Sequence, residues 1–169
     1  TRTVAIDTAV REAAAPQLVI LGAGLDGRAW RMPELRDTVV FEVDHPATQA
    51  LKRRQARALA PRAAAHVYVP VDFGRDDLGR ALGAAGHRAD ALTFWIWEGV
   101  TVYLTAQAQE ETLRAAAARS APGSRLAMTY IEPGGAGRSE RLVRLFGEPW
   151  VGRMSRAEAA ARLGAAGLR

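Results

Sequence analysis

Three glycines that directly follow a short apolar run are the residues whose types and spacing best suit ligand binding. The run extends over residues 18–21, and the glycines are Gly22, Gly24 and Gly27. A continuous apolar run of this length is typical of a parallel strand that is buried on both faces. Glycines after such a strand permit a tight turn and let a ligand approach the backbone. The spacing predicts a nucleotide-type ligand, but by itself it does not identify the nucleotide.

Acidic side chains mark the ends of three further predicted strands. Glu42 and Asp44 end the second strand and share one of its faces, because they are two residues apart. Asp72 follows the third strand and Glu98 follows the fourth. Acids at these positions often only cap the next helix. Four successive strand ends in glycine or acid nevertheless favour a binding site at the carboxyl edge of a sheet, where open α/β sheets bind their ligands.

The elements that must position these residues alternate between helix and strand. Strands are predicted at 17–21, 37–44, 66–71, 91–97 and 125–131. Helices are predicted at 3–15, 25–32, 46–60 and 75–85, and Thr105 is predicted to cap a further helix that includes Leu113. After a glycine-rich connector at 133–137, helices are predicted at 139–146 and 156–166. This alternation with short loops predicts an α/β fold, in which an open, mostly parallel sheet carries helices on both faces.

The composition narrows the class of protein. The 169 residues suit one domain, and the absence of cysteine excludes disulfides and thiolate metal sites. The three histidines share no ligand spacing, so we expect no metal site. The net charge is +5, but the arginines are dispersed, so we expect no nucleic-acid partner. There is no apolar run of the roughly 20 residues that span a membrane and no leader pattern, so we expect a cytoplasmic protein.

Two cofactors remain compatible with the glycines and the acids. Glu42 lies 20 residues after Gly22, a separation at which an acid accepts hydrogen bonds from ribose hydroxyls. NAD and S-adenosylmethionine both contain this ribose. The pyrophosphate of NAD prefers helix N-terminal amides to acids, whereas S-adenosylmethionine is a sulfonium cation without phosphate. The acidic strand ends therefore favour S-adenosylmethionine, and an NAD-dependent oxidoreductase remains the alternative.

Five motifs extend this interpretation to most of the chain. They are R-T-x-A-I-D at 2–7, V-I-L-G-A-G-L-D-G-R-A-W-R at 19–31, F-E-V-D-H-P at 41–46, V-P-V-D-F at 69–73 and W-E-G-V-T-V-Y-L-T at 97–105. In order and spacing the chain resembles the leucine carboxyl methyltransferase-like branch of class I S-adenosylmethionine-dependent methyltransferases, and especially its actinobacterial small-molecule O-methyltransferases. The resemblance implies a Rossmann-like fold, with a cofactor-binding core at 1–132 and an incomplete lid or substrate region at 133–169.

The resemblance also implies roles for the residues around the glycine loop. Arg2 would pair with the carboxylate of the methionine moiety, a bidentate contact that suits a guanidinium group. Gly22 and Gly24 would let the cofactor approach the backbone. Glu98 would lie near the amino group or the sulfonium, and Asp26 would line the pocket unless it only caps the next helix.

A second group of residues would hold the adenosine and face the acceptor. The resemblance implies that Asp44 holds the ribose hydroxyls, with Glu42 as the competing choice. Asp72 would accept a hydrogen bond from the adenine amino group, and Phe73 would pack near the ring. Tyr103 would line the pocket and is the candidate catalytic residue, although a place in the core with its hydroxyl satisfied is the favoured alternative.

The implied activity is O-methylation of a carboxylate or hydroxyl of a small molecule. A carboxylate acceptor needs no general base, whereas a phenol or an alcohol does, and the sequence offers no clearly placed base. A catalytically inactive nucleotide-binding remnant is a further alternative. Members of the family usually have a helical segment before the first motif and two more strands after the fifth. We therefore expect the final strands to be lacking, and we interpret the chain as part of a longer protein of unknown oligomeric state.

Overall fold

The structure is a computed structural model that describes residues 1–134 and 151–168. The strands are β1 (Gln17–Leu21), β2 (Val39–Asp44), β3 (Ala65–Pro70), β4 (Thr93–Trp97) and β5 (Arg125–Met128). The helices are α1 (Arg2–Ala13), α2 (Arg28–Arg31), α3 (Pro46–Gln55), α4 (Leu78–Ala84), α5 (Ala106–Ala118) and α6 (Arg156–Ala165), with 3-10 helices at Pro33–Asp37 and Thr101–Tyr103. None of these helices in the described ranges is long and apolar enough to cross a membrane.

The five strands form one parallel sheet in the order β3-β2-β1-β4-β5. The predicted α/β fold with a parallel sheet is therefore confirmed. The chain leaves β1 in one direction to build β2 and β3, and returns to the other side of β1 to add β4 and β5. Because the connections diverge on the two sides of β1, a crevice is expected at its carboxyl end.

Helices cover the sheet on both faces, as the sequence predicts. Alternate residues of β1 and β4 enter two hydrophobic cores, because successive side chains of a strand point to opposite faces. The core beneath α1 and α2 contains Ile6, Val10, Leu18, Ile20, Ala29, Phe94 and Ile96. The core beneath α4 and α5 contains Val19, Leu21, Leu82, Trp95, Trp97 and Leu113. Every residue of β1 and β4 is buried, so the central strands form a rigid support for the loops above them.

Several predicted boundaries were wrong, for local reasons. The second strand begins at Val39 because residues 33–37 form a 3-10 helix. The helix predicted from residue 75 begins at Leu78, since the carboxylate of Asp77 caps it by accepting a hydrogen bond from the Arg80 N–H at 2.9 Å. The helix predicted at 46–60 ends at Gln55. The helix predicted at 139–146 lies outside the described residues.

Candidate functional site

A cavity of about 720 Å³ opens at the carboxyl edge of the sheet. Its volume lies within the range of pockets that bind small molecules and cofactors. The lining residues come from the ends of β1, β2 and β3 and from the segment after β4: Gly22, Gly24, Asp44, His45, Val71, Asp72, Phe73, Val100, Tyr103, Leu104 and Val151. Six of the ten residues that the sequence predicts for the site are thus brought together, namely Gly22, Gly24, Asp44, Asp72, Phe73 and Tyr103.

The glycine loop has a conformation that side chains rarely permit. Gly22 and Gly24 have φ values of +66° and +48°, in the left-handed region that favours glycine. The N–H groups of Gly22 and Ala23 both donate to the carbonyl of Val43, at 2.8 and 3.1 Å, which fixes the loop on the end of β2. A Cβ atom on Gly22 would lie 2.2 Å from Val100 Cγ2. Glycine is therefore required here both by the backbone and by the close approach of the cavity wall.

Asp44 is the acid that β2 presents to the cavity. Two backbone groups orient its carboxylate: Gly24 N–H donates to Oδ2, and His45 N–H donates to Oδ1 at 2.6 Å. An ionised carboxylate has about four lone-pair positions. Asp44 therefore retains acceptor capacity on the side that faces the cavity, while the glycine loop holds the group in place.

Glu42 does not line the cavity, which corrects its place as the competing ribose acid. Its side chain is fully buried. One carboxylate oxygen, Oε2, lies 2.6 Å from Lys52 Nζ and 3.3 Å from His66 Nε2. Glu42 shares the face of Asp44, as its spacing predicts, but it lies one pleat further inside the sheet, beside Ile20 and Tyr68. At that depth its charge is neutralised internally rather than directed at the cavity.

Asp72 and Phe73 lie in the loop that follows β3. Val71 N–H donates to the carbonyl of Asp44 at 2.9 Å, so the ends of β2 and β3 remain adjacent at the edge of the sheet. The Asp72 carboxylate accepts a hydrogen bond from Gly74 N–H at 3.0 Å, and about a third of this side chain is exposed. Asp72 therefore faces the cavity with Oδ1 engaged by its own loop, while Oδ2 lies 3.8 Å from Arg75 Nε.

Three predicted site residues, Arg2, Asp26 and Glu98, meet in an ionic network rather than in the cavity lining. Arg2 Nε lies 2.6 Å from Glu98 Oε1. The guanidinium of Arg28 contacts Glu98 Oε2 at 3.1 Å and also pairs with Asp26. Asp26 accepts a hydrogen bond from the Arg28 N–H at 2.7 Å, so it also supports the start of α2. Two members of the network adjoin cavity residues in the sequence, since Asp26 follows Gly24 by two residues and Glu98 precedes Val100 by two.

Arg28 is a residue of this region that the sequence analysis did not select. It is only 3% exposed, and it also donates from Nε to Asp7 at 2.8 Å. Burial opposes the charged form, but the charge of Asp26 and the hydrogen bonds to Asp7 and Glu98 outweigh it, so the pKa of Arg28 is raised. For Asp7 burial likewise acts in the opposite direction, and hydrogen bonds from Arg31 and Arg28 lower its pKa. In the sequence, the partners of Arg28 stand out only as acids of the first, second and fifth motifs, namely Asp7, Asp26 and Glu98.

The wall opposite the glycine loop is apolar and comes from two separate segments. Val100, Tyr103 and Leu104 follow β4, and Val151 belongs to the segment that leads to α6. Val151 N–H donates to the Val102 carbonyl at 2.9 Å, which attaches the second segment to the first. Val100, Leu104 and Val151 were not predicted as site residues, because apolar side chains there could equally fill the core; Val100 and Leu104 do lie within the fifth motif.

A buried glutamine fixes this wall. Gln109 of α5 is fully buried, and its Nε2 contacts the carbonyls of Thr101 at 2.7 Å and of Gly152 at 2.9 Å. Its Oε1 accepts a hydrogen bond from Arg162 of α6. A Cβ atom on Gly152 would lie 2.2 Å from the Leu104 carbonyl oxygen, so the two segments are in direct backbone contact.

Comparison with known proteins agrees with this geometry. The sequence profile described as leucine carboxyl methyltransferase matches residues 1–117. The chain belongs to the leucine carboxyl methyltransferase family. The resemblance inferred from the five motifs is thereby confirmed, and it covers the glycine loop and the ends of β2, β3 and β4.

Alignment with individual relatives shows how much of their length this chain covers. A presumed S-adenosyl-L-methionine-dependent methyltransferase of Mycolicibacterium gilvum is 48% identical over 113 residues, which are 66% of this chain and 46% of that protein. A second M. gilvum protein with the same description is 42% identical over 142 residues, or 83% of this chain and 46% of that one. The chain thus spans slightly less than half the length of these relatives.

The fold also has a counterpart of known structure. A crystal structure of a presumed methyltransferase from Thermobifida fusca superimposes with a TM-score of 0.68 and 20% identity. The superposition covers 96% of this chain and 65% of the other. At this identity the likeness bears on the fold alone, and it agrees with the five-stranded parallel sheet.

Proposed function

We propose that this chain contains the cofactor site of an S-adenosylmethionine-dependent methyltransferase. The observation that carries the proposal is the charge of the cavity: in the described part of the chain, its lining includes Asp44 and Asp72 but neither lysine nor arginine. A sulfonium cation suits such a lining, whereas a pyrophosphate needs helix N-terminal amides or basic side chains. The descriptions of the M. gilvum relatives as S-adenosyl-L-methionine-dependent methyltransferases support the same cofactor.

We assign the adenosine half of the cofactor to the ends of β1, β2 and β3. Gly24 leaves room for it beside the backbone, since no atom lies within 4 Å of the position that a Cβ atom would take there, whereas at Gly22 Val100 occupies the corresponding position. The Asp44 carboxylate is oriented by two N–H groups and would accept hydrogen bonds from both ribose hydroxyls. Asp72 would accept one from the adenine amino group, with Phe73 against the ring. Glu42 has no part in this arrangement, because it is buried in the interior and paired with Lys52.

We assign the methionine half to the ionic network. Arg2 would bind the α-carboxylate and Glu98 the α-ammonium group, so that a zwitterion would replace the direct contact between the two side chains. Asp26 lies on the same side, held by Arg28. In this arrangement residues 1–132 hold the cofactor, and residues 133–169 contribute to the acceptor side, as the position of Val151 in the cavity wall supports.

The residues of the cavity would act by positioning and by excluding water. S-adenosylmethionine, when bound, supplies an electrophilic methyl group for an in-line displacement. The apolar wall of Val100, Tyr103 and Leu104 would exclude water from an anionic acceptor and align it. A carboxylate acceptor would require no base, whereas a hydroxyl acceptor would require one near the Tyr103 hydroxyl. We therefore propose O-methylation of a small molecule, with Tyr103 as the candidate catalytic side chain.

Isothermal titration calorimetry with two ligands tests the cofactor assignment. We expect saturable binding of S-adenosylhomocysteine and no binding of NAD at the same concentration, because the cavity lining is acidic. Binding of NAD without S-adenosylhomocysteine would support an oxidoreductase instead. Binding of neither ligand by the folded protein would overturn the proposal and leave the chain as an inactive remnant of the fold.

A further inference from the structure

One guanidinium group joins three carboxylates that come from three separate parts of the chain. Arg28 Nε contacts Asp7 of α1 at 2.8 Å, and Nη2 contacts Glu98, after β4, at 3.1 Å. Nη1 contacts Asp26 in the loop before α2. The planar fork of an arginine can make such contacts simultaneously, which a lysine ammonium on a flexible stem cannot do with the same geometry.

The charges of the surrounding cluster balance. Three arginines (Arg2, Arg28 and Arg31) face three acids (Asp7, Asp26 and Glu98). Within this cluster Arg28 is the member that contacts both Asp26 and Glu98, and it is also the most buried. Loss of its charge would leave the two acids nearest the glycine loop without a buried cation.

We propose that Arg28 is a positioning residue of the cofactor site, which holds Glu98 and Asp26 in the orientation that receives the amino-acid end of the cofactor. The proposal rests on the proposed function. Arg28 itself is buried beneath these carboxylates, so it acts through them and does not touch the ligand. Arg2, in contrast, is mostly exposed and approaches Glu98 from the solvent side.

Arg31 provides a matched comparison on the same helix. Its guanidinium contacts both oxygens of Asp7, at 2.8 and 2.6 Å, and its side chain is 44% exposed. No described contact joins Arg31 to Asp26 or Glu98. Replacement of Arg31 therefore removes the same charge and weakens the same attachment of α1, while the acids near the glycine loop keep their partner.

Two ligands distinguish positioning from a general loss of structure. S-adenosylhomocysteine carries the α-amino and α-carboxylate groups, whereas 5′-methylthioadenosine has the same adenosine and thioether but lacks both groups. Misplacement of Glu98 and Asp26 should weaken only the first ligand. A collapse of the cavity should weaken both ligands to the same extent.

The experiment is calorimetric titration of the wild-type chain, Arg28→Met, Arg28→Lys and Arg31→Met with both ligands. We expect Arg28→Met to raise the Kd of S-adenosylhomocysteine about tenfold or more, the loss of roughly one hydrogen bond to a charged group, and to leave methylthioadenosine within about twofold. Arg31→Met should change neither Kd by more than about twofold. Arg28→Lys should give an intermediate, equally selective loss, and it keeps the test decisive if Arg28→Met does not fold.

Contrary results would distinguish failure of the positioning role of Arg28 from failure of the cofactor assignment. Equal weakening of both ligands in the Arg28 variants, or equal effects of the Arg28 and Arg31 variants, would overturn the positioning role while the cofactor assignment survives. Absence of S-adenosylhomocysteine binding in the wild-type chain would overturn the proposed function and this inference with it.

Discussion

At the carboxyl end of the sheet, Asp44 and Asp72 line a cavity, whereas at the amino end the buried polar side chains hydrogen-bond to one another and to the backbone. There, Gln17 Nε2 donates to the Arg88 carbonyl at 2.8 Å and to Thr93 Oγ1 at 3.0 Å. His87 Nε2 lies 3.1 Å from the same Thr93 hydroxyl. The carboxylates at the carboxyl end keep acceptor capacity towards the cavity. The polar groups at the amino end use theirs in hydrogen bonds within the protein.

This difference separates two kinds of polar group that composition alone does not distinguish. A group satisfied within the protein should affect stability when it is replaced, because its partners lose their hydrogen bonds in the interior. A group that is held by the backbone but faces a cavity should affect ligand binding more than stability. Substitutions at the two ends of the sheet should therefore give opposite results.

Glu42 gives the largest expected effect, since it lies near the carboxyl end but is neutralised internally. Glu42→Gln leaves Lys52 buried without a counter-charge, and we expect a loss of about 3–5 kcal/mol in the free energy of unfolding. The affinity of the folded protein for S-adenosylhomocysteine should stay within about twofold. Urea denaturation and calorimetry measure the two quantities.

A double variant controls the Glu42 result. Glu42→Gln combined with Lys52→Met removes both charges, so it should recover part of the lost stability if the two side chains form a coupled pair. A rise in the Kd of S-adenosylhomocysteine in Glu42→Gln, at unchanged stability, would instead return Glu42 to the ribose site.

Asp44 should show the reverse behaviour. Asp44→Ala removes the acceptor proposed for the two ribose hydroxyls, so the Kd of S-adenosylhomocysteine should rise roughly 10- to 100-fold, as expected for the loss of hydrogen bonds to a charged group. The matched control is Asp37→Ala, an exposed aspartate that pairs only locally with Arg36 in the described structure. An unchanged Kd in Asp44→Ala would remove Asp44 from the site.

Gln17 tests the amino end of the sheet. Gln17→Leu keeps the size of the side chain but leaves the N–H and carbonyl of Arg88 without these contacts. We expect a loss of about 1–3 kcal/mol in the free energy of unfolding, with unchanged affinity of the folded protein for S-adenosylhomocysteine. Weaker binding at unchanged stability would show that the two ends of the sheet are not separate in function.

His87 gives the smallest expected effect, which appears as a dependence of stability on pH. Burial and the nearby Arg119 lower the pKa of His87 from 6.5 to about 4 in the folded state. Below pH 6.5 the unfolded chain takes up a proton that the folded protein excludes, so stability falls as the pH falls from 6.5 towards 4. Between pH 7 and pH 5.5 the loss should be about 1 kcal/mol.

The His87 prediction is measured by urea denaturation at both pH values. His87→Gln removes the titrating group, so the wild-type chain should lose about 1 kcal/mol more than the variant over this interval. Arg119 donates to His87 Nδ1 at 3.2 Å, so the variant is also expected to be less stable at pH 7. Equal losses in the two proteins would contradict a buried neutral His87.

The sequence could predict the elements and the acids at their ends because these follow from local pattern. The glycine spacing, the apolar run of β1 and the acid that ends β2 each lie within a few residues. The burial of Glu42 could not be predicted, because the sequence does not show which residue of β2 is the first to reach the carboxyl edge of the sheet. The contacts of Arg28 could not be predicted either, since its three partners are separated by up to 91 residues in the sequence, from Asp7 to Glu98.

The most direct test is a structure of the chain with S-adenosylhomocysteine bound. We expect both ribose hydroxyl oxygens to lie within hydrogen-bonding distance of the Asp44 carboxylate, at about 2.5–3.2 Å, and the adenine amino nitrogen to lie beside Asp72. An adenosine bound elsewhere, with neither aspartate in contact with it, would contradict the account.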